Sequence, residues 1–185
     1  MHPHRPHLST NSDKHKPKEY LFVDGYNIIN AWENLKEISK ENLEEARNEL
    51  LEILADYKHY SGIEIYVIFD AYSVKGSVRN QECFKGVYVV YTKENELADH
   101  YIERVLDEMG RDYNIRVATS DWVEQQIVLS RGGTRVSARE LESEVEFFKS
   151  SLKRNIQKSN LKNDTGLGKL EDSIVNRLKN WDKNI

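Results

Sequence analysis

Short apolar segments alternate with helical segments along this chain from residue 19 onward. The apolar segments are YLFV, IEIYVIF, VYVVYT and IRVAT, each with the length and composition typical of a buried strand. The segments between them, such as ENLEEARNELLEILADYKHYSG, place apolar residues at helical spacing. Strands that alternate with helices predict a mainly parallel sheet, joined by right-handed crossovers and covered by helices on both faces. We therefore predict an α/β fold organised as a three-layer αβα sandwich.

The chain divides into three regions of different composition. Residues 1–18 hold all three prolines and four of the six histidines without hydrophobic periodicity, which predicts a disordered tail. Residues 19–157 carry the alternating pattern and are predicted to form one domain. Residues 158–185 begin as a polar linker and end in a predicted amphipathic helix. The apolar stripe of that helix consists of Leu170, Ile174, Leu178 and Trp181.

The overall composition is that of a soluble protein in a reducing compartment. Hydrophobic residues make up 38% and charged residues 31% of the 185 residues, and no apolar run is long enough to span a membrane. We expect no signal peptide, because the first residues lack a hydrophobic centre. The lone Cys83 excludes an intramolecular disulfide and favours the cytoplasm. The net charge of -4 combines an acidic body with basic ends, which suits a metal-dependent enzyme with an anionic partner.

Acidic residues stand where three of the predicted strands end. Asp24 ends the first strand, Asp70 ends the second, and Asp121 follows the fourth by two residues. The carboxyl ends of parallel strands share one edge of a sheet, so we expect these carboxylates to converge there. The helix after the third strand carries Glu96 and Asp99, which are three residues apart and therefore expected on one helical face. We predict one site formed by all five acids.

Each of these acids also has a purely structural explanation. Asp24 and Asp70 can act as turn formers, and Asp121 can cap a helix with Glu124 as its capping-box partner. The two helix acids can be favoured by the helix dipole alone. As a group, however, neighbouring carboxylates repel one another unless a cation neutralises them. Mg²⁺ and Mn²⁺ select oxygen ligands of this kind and support phosphodiester hydrolysis.

Other catalytic chemistry has no counterpart in the sequence. There is no Cys/His cluster suited to zinc and no nucleophile elbow of the hydrolase type. The dinucleotide-binding glycine pattern is absent, and the fragment TGLGK does not match the glycine spacing of a phosphate loop. We therefore expect no nucleotide cofactor.

Five segments, taken in order, resemble a known family. VDGYNII, VIFDAY, TKENELADHYIE, VATSDWVEQ and SARELESEVE are similar to the YacP-like NYN-domain proteins, bacterial endoribonucleases with a PIN-like fold that associate with ribosomes. The resemblance covers residues 20 to about 155. It implies a metal-dependent RNA-cleavage site, with Mg²⁺ or Mn²⁺ as cofactor and mRNA on the translating ribosome as target.

The resemblance also implies roles for individual residues. The catalytic residues that it implies are Asp24, Asn27, Asp70, Asp99 and Asp121. The metal ligands that it implies are Asp24, Asp70, Glu96, Asp99 and Asp121. Asn27 is interpreted either as a residue that orients water at the metal or as a helix cap. Ser120 is expected to hold Asp121 or to cap its helix.

Basic and aromatic residues near the predicted site are candidates for holding RNA. A long loop is predicted after the second strand, at the active-site edge, with Lys75, Arg79 and Lys85 placed to neutralise phosphates. Tyr26 or Tyr72 can stack on a splayed base. A solvated loop with both tyrosines packed inward is an equally good explanation.

Three functions are compared as explanations of the clustered acids and the basic ends of the chain. The leading one is a metal-dependent endoribonuclease with RNA and the ribosome as partners. A noncatalytic RNA- or ribosome-binding module has no reason to cluster negative charge beside its RNA. A metal-dependent phosphatase for small phosphate esters has no evident need of basic ends. The basic residues expected to attach the chain to ribosomal RNA are Lys153, Arg154, Lys158 and Lys162.

Overall fold

A computed structural model of the chain describes residues 19–70, 80–110 and 112–162. The strands within these ranges are β1 (Glu19–Asp24), β2 (Glu64–Phe69), β3 (Asn80–Phe84), β4 (Val87–Tyr91), β5 (Asn114–Thr119) and β6 (Thr134–Ser137). The helices are α1 (Gly25–Ala31), α2 (Glu33–Glu41), α3 (Leu43–Ser61), α4 (Ala98–Met109), α5 (Trp122–Ser130) and α6 (Ala138–Lys162). The predicted tail at residues 1–18 and the predicted C-terminal helix lie outside the described residues.

The strands form one sheet in the order β3-β4-β2-β1-β5-β6. β1 lies near its middle and pairs in parallel with β2 on one side and β5 on the other. β4 and β6 extend the sheet in parallel, whereas β3 pairs antiparallel with β4. The prediction of a mainly parallel sheet is confirmed.

Two hydrophobic cores cover the two faces of the sheet. Leu21 and Val23 of β1 point into the core that α1, α2, α3 and α6 share with the sheet. Tyr20 and Phe22, which alternate with them along the strand, point into the opposite core with α4 and α5. Because successive side chains of a strand face opposite ways, a continuous apolar run is what a strand buried on both faces requires. This arrangement is the predicted αβα sandwich.

The prediction of one long loop over residues 71–86 is wrong in its second half. Residues Asn80–Phe84 form β3, an edge strand whose side chains are mostly exposed. A polar strand at the edge of a sheet carries no apolar pattern, so its sequence looks like a loop. Lys85 and Gly86 form the two-residue turn to β4, with φ of 47° and 89°, as hairpin turns with two left-handed residues require.

The hairpin also corrects the predicted position of Lys85. β4 runs parallel to β1 and β2, so the turn that precedes β4 lies at the amino-terminal edge of the sheet, opposite the strand ends that carry Asp24 and Asp70. There Lys85 makes an ion pair with Glu52 of α3 at 2.6 Å. Lys85 therefore does not lie at the active-site edge.

Helix caps explain most of the boundaries. Ser137 and Glu140 form the predicted capping box, with Ser137 N donating to Glu140 Oε2 at 2.7 Å and Glu140 N donating to Ser137 Oγ at 3.2 Å. α6 runs on to Lys162, so the boundary that we place at residue 157 falls inside this helix.

Within the described part of the chain, none of the helices is both long and apolar enough to cross a membrane.

Candidate active site

Four of the predicted aspartates line one cleft at the carboxyl edge of the sheet. The cleft encloses about 220 Å³. Its acidic and amide residues are Asp24, Asn27, Asp70, Asp99, Asp121 and Glu124, and its apolar residues are Leu97, Ala98, Val123 and Ile127. These residues come from the ends of β1 and β2, from the starts of α1 and α4, and from the first two turns of α5. Parallel pairing brings these positions together from distant parts of the sequence.

Asp24 both caps a helix and faces the cleft. Its backbone is extended and its side chain, with 7% of the residue exposed, accepts from Asn27 N at 3.2 Å and from Asn27 Nδ2 at 2.9 Å. Asn27 Oδ1 in turn accepts a hydrogen bond from Ser120 Oγ. The two explanations of Asp24 are therefore compatible, because a capping carboxylate retains lone pairs for another ligand. Ser120 contacts Asn27, whereas its expected partner was Asp121.

Asp70 and Asp99 lie on the other side of the cleft. Asp70 follows β2 directly, is half-buried, and its Oδ1 accepts a hydrogen bond from Ala98 N at the start of α4. Asp99 stands in the first turn of α4, where its Oδ1 accepts from His100 N at 2.6 Å. The contact between Asp70 and the α4 amino terminus joins the end of β2 to that helix, which fixes the position of Asp99 relative to the sheet.

Asp121 and Glu124 come from the start of α5. Asp121 caps this helix, with its Oδ1 accepting from Val123 N at 2.7 Å and from Glu124 N at 3.2 Å. The predicted reciprocal bond from the Asp121 amide to Glu124 is not formed, because that amide donates to Thr119 Oγ1 at 3.1 Å. The Glu124 side chain turns inward instead, so that the residue is 5% exposed. The capping part of the interpretation is confirmed for Asp121, and the capping-box role of Glu124 is wrong.

Glu124 is the site residue that sequence reasoning missed. It lines the cleft, and its carboxyl group is hydrogen-bonded by Thr119. Its Oε1 is buried and has no hydrogen-bond partner within the described residues. The sequence signal was an acid three residues after Asp121, which a capping box explains equally well.

Burial and mutual repulsion raise the pKa values of three of the acids. Burial raises the pKa of Asp24, Asn27 lowers it by hydrogen bonding, and the charges of Asp70 and Asp99 raise it further. Burial also raises the pKa of Asp70, against a hydrogen bond from the Ala98 amide and with repulsion from Asp99. The pKa of Glu124 rises from 4.5 to about 8, mainly through burial and then through nearby aspartates. The site is therefore an uncompensated cluster of negative charge.

This electrostatic strain predicts a pH dependence for the metal-free protein. The pKa of Glu124 is higher in the folded state, so its contribution to stability is largest below about pH 5 and falls as pH rises through about 8. Between about pH 6 and about pH 9 we expect the free energy of unfolding to fall by on the order of 2 kcal/mol. Glu124→Gln should flatten this slope, measured by urea unfolding in chelator. Identical slopes for the two proteins would contradict the burial of an ionisable Glu124.

Glu96 lies outside the cleft. The expectation that it shares a helical face with Asp99 is wrong, because α4 begins only at Ala98. The preceding residues form a turn with Asn95 at φ 61°, and there the Glu96 carboxylate accepts from Lys93 N at 3.1 Å and from Arg104 at 2.6 Å. The geometry gives Glu96 a structural ion pair in place of the predicted contact with the other acids.

Of the predicted RNA-binding residues, only Tyr26 and Lys85 are among the described residues, and neither of them lines the cleft. Lys75, Arg79 and Tyr72 lie outside the described residues. The Tyr26 ring packs on Phe69 with centroids 5.1 Å apart, and its hydroxyl accepts from Arg47 at 3.1 Å. Tyr26 is thus packed inward, as the alternative explanation required.

The cleft residues fit a hard divalent cation by their chemistry. Among the described residues, no three His, Cys, Asp or Glu side chains are already arranged closely enough to hold an ion. A complete protein cage is not required, because Mg²⁺ keeps several waters and uses one or two carboxylates. A cation in the cleft would satisfy the unpartnered Glu124 oxygen and offset the repulsion that contributes to the raised pKa values of Asp24 and Asp70.

Comparisons with known proteins agree with this architecture. The model of the YacP-like NYN domain matches residues 21–183. The uncharacterized protein YacP of Bacillus subtilis (strain 168) is 38% identical over 164 residues, which are 88% of this chain and 96% of that protein. The crystal structure of Rae1 (YacP) from Bacillus subtilis matches at 37% identity with a TM-score of 0.64, over 89% of this chain and 95% of that one. A crystal structure of a point mutant of Rae1 (YacP) also matches at a TM-score of 0.64, with 39% identity over 75% of this chain and 81% of that one.

The family model covers the described chain from residue 21 onward and so includes the ends of β1 and β2 and all of α1, α4 and α5, which form the cleft. The NYN domain is a nuclease-type domain with a PIN-like fold, in agreement with the parallel sheet and the acids at its carboxyl edge. The chain belongs to the YacP-like NYN domain family.

Proposed function

We propose that this protein is a metal-dependent endoribonuclease that cleaves phosphodiester bonds of RNA with Mg²⁺ or Mn²⁺. The observation that carries the proposal is the convergence of five carboxylates in one cleft of a nuclease-type domain, with the pKa values of three of them raised. Positive charge must enter such a cleft before an RNA phosphate can. A divalent cation therefore belongs to the proposed substrate complex.

The cleft residues divide into ligands and supports. Asp24, Asp70 and Asp99 repel one another and are the carboxylates proposed to hold the cation. When bound, the cation supplies charge neutralisation of the phosphate and a more acidic water for hydrolysis. Asn27 holds the Asp24 carboxylate through both its backbone and side-chain nitrogens, and Ser120 holds Asn27. This chain of hydrogen bonds fixes the orientation of Asp24 at the end of β1.

Exposed apolar side chains at the cleft support an unpaired strand as substrate. Leu97 and Val123 line the cleft and are exposed, and Trp122, next to Val123, is 69% exposed. The acidic cleft itself repels a polyanion, so contacts near the cut must come partly from uncharged groups. An indole ring stacks on any unpaired base, whereas bases inside a duplex are already stacked.

We further propose that the RNA substrate is mRNA on the translating ribosome. The resemblance to the YacP-like family supports this target. The basic residues of α6 recur every four positions at 154, 158 and 162, with a further lysine at position 153. Arg154 is exposed. Cationic side chains along a helix provide salt-sensitive, sequence-independent contacts to ribosomal RNA.

The proposal is tested with end-labelled mRNA, incubated free or in a purified translation system with Mn²⁺ or with chelator. We expect internal cuts with Mn²⁺, none with chelator, and more cuts in the translated message, because ribosome contacts raise the local concentration of enzyme. RNA binding without cleavage in any condition would support a noncatalytic module instead. Hydrolysis of a small phosphate ester in the absence of RNA cleavage would favour a phosphatase. Equal cutting of free and translated mRNA would remove the ribosome from the proposal and leave the nuclease.

A further inference from the structure

Glu124 has one carboxylate oxygen that nothing in the described structure satisfies. The residue is 5% exposed, and its Oε1 is buried without a hydrogen-bond partner. It is the only buried side-chain oxygen or nitrogen in the described residues with this property. An unsatisfied buried polar atom costs roughly 1–3 kcal/mol, and more for a charged group, so it calls for an explanation in function.

The surroundings of Glu124 show how its free oxygen is presented. Thr119, at the end of β5, is a hydrogen-bond neighbour of the carboxyl group and lowers its pKa against the effect of burial. The backbone amide of Glu124 is held by Asp121 at 3.2 Å, which fixes the first turn of α5. The start of α5 is thus fixed by its cap, and Glu124 lines the same cleft as Asp24 and Asp99.

The chemistry of the cleft identifies the missing partner. Every charged residue that lines the cleft within the described chain is acidic, and the remaining lining is Asn27 and apolar side chains. The charges of Asp24, Asp99 and Asp121 all act on Glu124. An anion would add to this repulsion, and a neutral acceptor would leave the oxygen unsatisfied. A small cation would relieve the repulsion and bind the unpartnered oxygen.

We propose that Glu124 is a direct ligand of the divalent cation at the inner wall of the cleft. It would take the role of the additional ligand that the family resemblance implied for Glu96. The proposal rests on the proposed metal-dependent nuclease function. It adds a ligand supplied by α5 to Asp24 at the end of β1, Asp70 just after β2 and Asp99 of α4. The cation would then join the two halves of the cleft, since α4 and α5 pack on one face of the sheet and α1 packs on the other.

The test measures Mn²⁺ binding directly, by the loss of the free-ion signal in electron paramagnetic resonance. Wild type is compared with Glu124→Gln, with Asp24→Asn, and with Glu96→Gln as the matched control. Glu96→Gln makes the same chemical change in a carboxylate that the structure pairs with Arg104 outside the cleft. We expect Glu124→Gln to weaken Mn²⁺ binding at least about tenfold and Glu96→Gln to leave it unchanged.

The outcomes separate this proposal from the proposed function. If Glu124→Gln binds Mn²⁺ like wild type while Asp24→Asn does not, Glu124 is not a ligand and the metal-dependent function stands. If wild type itself does not bind Mn²⁺, both the proposed role of Glu124 and the proposed metal-dependent function are wrong. A second variant, Glu124→Asp, keeps the charge and withdraws the oxygen by one methylene, so its affinity should lie between those of wild type and Glu124→Gln. Equal Mn²⁺ affinity of Glu124→Asp and wild type would also overturn the proposal. Thermal melting in chelator shows whether each variant is folded.

Discussion

Asp24→Asn is expected to lower the rate of RNA cleavage by about a hundredfold or more while leaving the protein folded. Asp24 is the most buried aspartate of the cleft and is held in place by Asn27, so its carboxylate is the best oriented of the proposed ligands. Loss of one preoriented electrostatic group at a reacting centre typically costs a factor of about 10²–10³. The rate is measured with end-labelled mRNA in Mn²⁺, at enzyme concentrations above those needed for binding.

Two measurements show that the loss is local. RNA binding should largely survive in Asp24→Asn, because phosphate contacts come mostly from basic side chains. The melting temperature in chelator should not fall. The variant removes a carboxylate whose pKa is raised by burial and by the charge of Asp70, so its negative charge is unfavourable in the folded protein. Glu96→Gln, whose carboxylate pairs with Arg104, serves as the control that keeps its cleavage rate. Full cleavage by Asp24→Asn would exclude the cleft as the active site.

Gly25→Ala is expected to destabilise the protein by about 1–3 kcal/mol and to reduce cleavage with it. A Cβ at this position would lie 2.3 Å from Cε1 of Phe69, which is fully buried. The ring cannot move aside easily, because Tyr26 and Tyr91 pack on it with centroids 5.1 Å and 5.8 Å away. The clash must therefore displace the start of α1, which positions Asp24 and Asn27. Urea unfolding and the cleavage rate measure the two effects.

Asn30→Ala is the control for this substitution, because residue 30 is exposed on the same short helix. Its stability should stay within about 0.5 kcal/mol of wild type, as is usual for surface positions. The displaced helix also predicts that Gly25→Ala loses Mn²⁺ affinity even where it remains folded. A variant as stable and as active as wild type would show that α1 does not depend on the close approach of residue 25 to the Phe69 ring.

The sequence by itself determined the layers of the fold and the edge at which the site lies. YLFV alternates between two cores, and a strand buried on both faces must be uniformly apolar. The positions of Asp24, Asp70 and Asp121 followed from the same pattern, because a residue after a parallel strand has only one edge at which to lie. α1 and α2 were not assigned, since GYNIINAW and ENLKEISKE are short and their helical ends depend on packing around Leu35 and Trp32.

Tertiary structure decided which side chains belong to the cleft. Glu96 and Glu124 are both acids near a helix start, and their sequence contexts favoured Glu96. The turn at Asn95 and the ion pair with Arg104 remove Glu96 from the cleft, whereas the bond between Thr119 and the Asp121 amide leaves Glu124 to turn inward. In the same way, the antiparallel pairing of β3 carries Lys85 to the far edge of the sheet. Each of these placements depends on partners that are distant in sequence or on where an element starts, and local patterns carry no information about either.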